Sequence, residues 1–154
     1  MKVKIAPIML LLLISMATPV VMTMAIPKKA EPFQVTATME PHPDMDLHKR
    51  GVQKYSQHGT IVDSEQNTGT IDMDVSITNF YKAYDSGYAQ ARVNFTMTFS
   101  EERLITGIIV GKIWFDDEVQ DVAGIFVGRE SHVKGTVSLL GSDPNILLFE
   151  GMAW

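Results

Sequence analysis

The sequence predicts an all-β fold: a single antiparallel meander of about eight strands closed into a barrel, with a β-sandwich as the alternative, preceded by an N-terminal signal helix. Three observations lead there. Apolar and polar residues alternate with period two in one stretch after another from Phe33 to the C-terminus, the pattern of a strand with one face buried and one face wet. Short clusters of Gly, Asp, Ser and Asn separate these stretches and supply turn chemistry. No segment carries a convincing amphipathic-helix period.

Residues 1–25 read as a secretory signal peptide. Met1-Lys-Val-Lys4 is a short positive start, and Ile5 to Ile26 is a run of 22 residues without a charge. Thr23-Met24-Ala25 and, earlier, Ser15-Met16-Ala17 offer small-residue cleavage sites. The same run is long enough to span a bilayer, so an uncleaved N-terminal anchor is the competing reading. Pro7 and Pro19 favour cleavage. A membrane enters only through this leader. Either way the rest is expected outside the cytoplasm, secreted or held at the outer face of the membrane. Residues 26–32, with Lys28-Lys-Ala-Glu-Pro32, form an exposed linker, and the barrel domain is expected over 33–154.

The strands follow in order. Phe33, Val35, Ala37 and Met39 share one face, with Gln34, Thr36 and Thr38 on the other. A second strand is expected within Val52–Val62, and Ile71, Met73, Val75 and Ile77 mark the third. The clearest is the fourth: Ala89, Ala91, Val93, Phe95, Met97 and Phe99 alternate without error against Gln90, Arg92, Asn94, Thr96, Thr98 and Ser100. Leu104–Phe115, Val119–Val127, His132–Leu140 and Ile146–Ala153 complete the series, divided by Asp116-Asp-Glu, Gly128-Arg-Glu-Ser and Gly141-Ser-Asp-Pro-Asn145. Strands of this number and length can close on themselves and so leave no edge. Alternation alone does not report closure, which keeps the sandwich open.

Leu104–Phe115 breaks the pattern, because Leu104, Ile105, Ile108, Ile109, Val110, Ile113, Trp114 and Phe115 put apolar groups on both faces. A strand buried on both sides reads so. In a filled barrel its outer face must meet something else, either a second subunit in a homo-oligomer or a segment of the same chain.

Composition removes several classes. There are no cysteines, which excludes disulfide scaffolds, thiolate catalysis and cysteine–zinc sites. The net charge is −5, and both leader charges, Lys2 and Lys4, are positive, so the remainder is more acidic still. Nucleic acid wants the opposite sign, and no such role is expected. No motif implies a cofactor: G-x-S-x-G, H-E-x-x-H and Gly-rich phosphate loops do not occur.

The stretch from Ala123 to Leu139, with Gly124, Phe126, Gly128 and Gly135, followed by Leu148-Phe-Glu-Gly151, resembles the allene oxide cyclase and dirigent-type barrels. There a G-x-F-x-G-like turn joins late strands before a final strand. The resemblance covers about a fifth of the chain. It implies an antiparallel eight-stranded barrel, commonly trimeric, that holds a small apolar or phenolic ligand. No position here matches a catalytic residue of those families, so cyclase chemistry would be an analogy from fold.

Four candidate sites stand out. His42, Asp44, Asp46 and His48 alternate in a Pro-containing segment and combine imidazole with carboxylate, a donor set for zinc or another divalent ion. Along an extended strand of about 20 Å they reach one ion only through a turn, and a solvated acidic loop is the plainer reading. Tyr81, Tyr84 and Tyr88 gather at a connection between two good strands, where they could stack on an apolar ligand at a barrel mouth or simply close it. Asn94-Phe95-Thr96 is an N-glycosylation sequon on the polar face of the clearest strand. His132 is a candidate proton-transfer residue without a visible partner in the sequence.

The function expected from these features is an exported barrel that binds a small apolar ligand or acts as a surface interaction module. The alternative is a cyclase-like or dirigent-like enzyme that steers a reactive intermediate by shape and exclusion of water.

Overall fold

Each of eight strands pairs antiparallel with the next along the chain: β1 (Glu31–Met39), β2 (Val52–Asp63), β3 (Thr68–Thr78), β4 (Tyr88–Phe99), β5 (Leu104–Asp116), β6 (Glu118–Gly128), β7 (Val133–Leu139) and β8 (Ile146–Ala153). β1 also pairs with β8, with Phe33 opposite Gly151 and Val35 opposite Phe149. That last ladder closes the sheet, so the architecture is a barrel and not a sandwich. The computed structural model describes residues 29–41, 51–78, 87–100, 103–116 and 118–154. The leader lies outside them, as does the helix expected there. β1 starts at Glu31, inside the expected linker, because Glu31 and Pro32 already lie opposite Ala153 and Met152.

Alternation decides which residues enter the core. On β3, Ile71, Met73, Val75 and Ile77 are buried while Asp72 and Asp74 are exposed; on β4 every second residue from Ala89 to Phe99 is buried. The barrel is therefore apolar inside and polar over most of its outer wall, the reverse of a barrel embedded in lipid. Among the described residues no helix is long and apolar enough to cross a membrane.

The two ends of the barrel differ. Toward one end, reached by the β2–β3, β4–β5 and β6–β7 turns, the interior is filled by a cluster of phenylalanine rings. Phe126 sits in van der Waals reach of Phe33, Phe95 and Phe149, with ring centroids 5.7, 6.2 and 5.5 Å away. The Phe95 ring lies across Gly107, where a Cβ would come within 2.6 Å of it. Glycine on the neighbouring strand is what lets this ring lie flat against the wall.

Asp63 closes this end. Its carboxylate accepts from the backbone N–H groups of Glu65 and Asn67 at 3.0 and 2.9 Å, from the Asn67 side chain at 3.1 Å and from Arg103 at 2.6 Å. The Arg103 guanidinium also covers the Phe99 ring, 4.0 Å from its centroid. Burial pushes the Asp63 pKa up, but the bonds from Asn67, Arg103 and Glu65 outweigh it and hold the pKa below its ordinary 3.8. A carboxyl whose folded pKa is depressed contributes stability that is complete above the unfolded value and is lost as pH falls through the folded one. Asp63→Asn is therefore expected to cost about 1–2 kcal/mol at neutral pH. Urea unfolding should show the gap between variant and wild type closing as the pH drops below 3.8.

Candidate functional site

At the opposite end the barrel is hollow. The inward side chains of β4 run Phe99, Met97, Phe95, Val93, Ala91, Ala89 toward that rim, and β5 and β6 contribute Gly111 and Gly124. Side chains that shrink along the axis leave space where they are smallest. The result is an open-ended cavity of about 80 Å³. Its walls are mainly apolar, with Met39, Met73, Val75, Val93, Ile109 and Leu147 among them.

Two polar groups from β2 interrupt those walls. Tyr55 and Gln57 both line the cavity. Burial raises the Tyr55 pKa from 10.0 to about 12, so it stays a phenol that donates and accepts hydrogen bonds and does not act as a base at neutral pH. Gln57 donates its side-chain N–H to the Glu40 carbonyl at 2.5 Å, which ties the end of β1 to β2 at the rim. That bond uses the amide nitrogen and leaves the side-chain carbonyl oxygen as an acceptor.

The residues singled out from the sequence fall differently. His42, Asp44, Asp46 and His48 lie outside the described residues, as do Tyr81 and Tyr84. The strand ends on either side of them, Met39 and Val52, Thr78 and Tyr88, stand at the open rim. Among the described residues no cluster of three or more histidine or carboxylate side chains could hold a metal ion. Tyr88 sits on the outer face of β4, since its neighbour Ala89 is the fully buried one. Its ring is 6.1 Å from Trp114, with Lys112 Nζ 4.2 Å from its centroid. It packs on the wall and does not enter the cavity. Asn94 is exposed on the outer face of β4, in register with Ile108. His132 is exposed in the β6–β7 turn at the packed end, away from the cavity, and its carbonyl accepts the Trp154 N–H at 3.2 Å.

Tyr55 and Gln57, with Lys112 the polar residues lining the cavity, were not singled out by the sequence. β2 turns Gln53, Tyr55 and Gln57 inward and leaves Val52 and Val62 exposed, at 50% and 37%. Ile61 is buried and Lys54, Ser56, His58 and Thr60 are exposed in the usual way, so the strand mixes polar and apolar residues on both faces and periodicity alone does not assign them. The usable signal was register: pairing with β3 puts Tyr55 opposite Val75 and Gln57 opposite Met73.

Fold and site together define the class: an up-and-down antiparallel barrel, packed at one end and open through an apolar cavity at the other. Compared with protein-family models, with curated proteins and with solved structures, the chain matches none.

Proposed function

We propose that this protein is an exported binding module that takes the apolar chain end of a small amphipathic molecule into the open end of its barrel. The observation that carries the reading is the pairing of a mainly apolar, open-ended cavity with the Tyr55 phenol and the Gln57 amide on its wall, with Lys112 also in the lining. Ligand sites of this kind combine apolar walls with a few placed polar groups. The volume limits the ligand. A cavity of about 80 Å³ is roughly half of the ~150 Å³ that holds a benzene ring. A short alkyl end fits it and a whole ring system does not. The head group then stays at the rim, within reach of Tyr55 and Gln57.

Two further points support binding over chemistry. Tyr55 keeps its proton up to about pH 12, which suits holding a polar head and not abstracting a proton. The likeness of Gly124, Phe126, Gly128 and Gly135 to the allene oxide cyclase and dirigent barrels points to a small-ligand barrel as well, without carrying an activity across.

Hexan-1-ol is a suitable probe, and isothermal titration should show saturable binding. Val93→Phe, which fills the cavity from β4, is expected to abolish the heat while leaving the far-UV circular dichroism unchanged. Tyr55→Phe removes one hydrogen bond and should weaken binding by roughly three- to tenfold. Equal binding by wild type and Val93→Phe would sink the proposal.

A further inference from the structure

We infer that Asn94 carries an N-linked glycan, and that its first sugars cover the apolar outer wall of β5 and β6. The sequon Asn94-Phe95-Thr96 supplies the acceptor, and the fold adds three features: the direction of the side chain, the order in which the barrel closes, and the surface beside it.

Alternation on β4 buries Val93 and Phe95 and turns Asn94 outward, where it is exposed. A bulky, solubilising group attached to the outer wall of a barrel displaces no part of the core. Thr96, which completes the sequon, lies on the same face, two residues along the strand.

A finished ladder holds its backbone rigidly, whereas a glycosyl transferase needs the acceptor segment free. The barrel closes through the ladder between residues 31–38 and 146–153, and the second of these is made last. Asn94 therefore meets the transferase ahead of the strand that shuts the sheet. Until then the earlier strands are an open, incomplete sheet.

Asn94 lies opposite Ile108 on β5, and Ile108 lies opposite Val127 on β6. One step along, Val110 is opposite Ile125. Val110, Ile125 and Val127 are 61%, 64% and 53% exposed. Neighbouring strands are about 4.8 Å apart, so this patch starts one strand from Asn94 and ends at the next. It is too small for a standard protein interface, which takes about 800 Å² from each partner. A pyranose ring suits it better, with an apolar C–H face toward the aliphatic side chains and hydroxyls toward water.

The transfer uses an oligosaccharide carried on a polyisoprenoid diphosphate. A bond forms between Asn94 Nδ2 and C1 of the first sugar, and the bond from C1 to the diphosphate oxygen breaks. The lipid diphosphate leaves with the bonding electrons, and the amide nitrogen gives up one proton. Nothing is oxidised or reduced.

The test is expression of the full chain with its own leader in cultured insect cells. Protein from the medium and the cell surface is then treated with peptide-N-glycosidase. Wild type and Thr96→Ser should lose mass on treatment, with aspartate left at the acceptor position in the peptide map. Asn94→Gln and Thr96→Ala should not change. Removal of the glycan should also raise the fluorescence of an apolar-surface dye roughly twofold or more, and Ile125→Thr should abolish that rise. Wild type that reaches the surface or medium bare, or does not reach it, overturns the glycan. Equal dye fluorescence before and after treatment overturns its covering of β5 and β6.

Discussion

Gly135→Val is expected to leave the protein without a cooperative unfolding transition, and Gly135→Ala to cost more than about 3 kcal/mol. Gly135 lies on the inner face of β7, in register with Phe126 on one side and Gly151 on the other. A Cβ built there would collide with the Glu150 carbonyl and come within 2.6 Å of the Gly151 Cα. Both obstacles are backbone. They yield only if β8 moves away from β7, and β8 also holds the closing ladder to β1. Gly151 faces the same limit from the other side, 2.7 Å from the Gly135 Cα. The cost is one of close approach, not of backbone conformation. Gly141 supplies the contrast, with φ of +75° and nothing within 4 Å of an added Cβ. Gly141→Ala meets only the left-handed backbone cost, about 1 kcal/mol. Urea denaturation followed by far-UV circular dichroism would separate the two. Similar midpoints for Gly135→Ala and Gly141→Ala would show that β7 and β8 are not held as closely as described.

Phe126→Ala should be the most damaging truncation in the core, lowering stability by about 3–5 kcal/mol. Phe126 is fully buried, and it is the ring that contacts Phe33, Phe95 and Phe149 together. Removing it costs the transfer of a phenyl group and leaves a void that three fixed rings cannot collapse into. The change also has a functional sign. The void opens beneath the existing cavity, so a surviving Phe126→Ala protein is expected to bind benzene, which the wild-type cavity of about 80 Å³ is too small to hold. Thermal unfolding in the presence of benzene reads both effects. A loss below about 1 kcal/mol with no benzene stabilisation would mean that the packed end is looser than its geometry implies.

The fold was largely legible because alternation is a local property. β4 announced itself by six buried positions from Ala89 to Phe99, and the glycine- and aspartate-rich turns divided the strands close to where they end. Closure was not legible, because it rests on pairing between residues 31–38 and 146–153, at opposite ends of the domain. No local period reports that. The site was less legible still. Tyr55 and Gln57 point inward against the hydrophobic rule, and Tyr88, promising by its neighbours in sequence, belongs to the outer wall. One clue was present throughout: inward residues of β4 shrink from Phe99 to Ala89, which marks the end that a core leaves open.

Methionine methyl NMR tests the central claim most directly, because the chain carries probes in the right places. Met39 and Met73 line the cavity, Met97 is fully buried in the packed half and Met152 is exposed on the outer wall. On titration with hexan-1-ol the Met39 and Met73 methyl resonances should move saturably while those of Met97 and Met152 stay in place. Unmoved Met39 and Met73 resonances, or a response led by Met152, would contradict an open apolar cavity as the seat of binding.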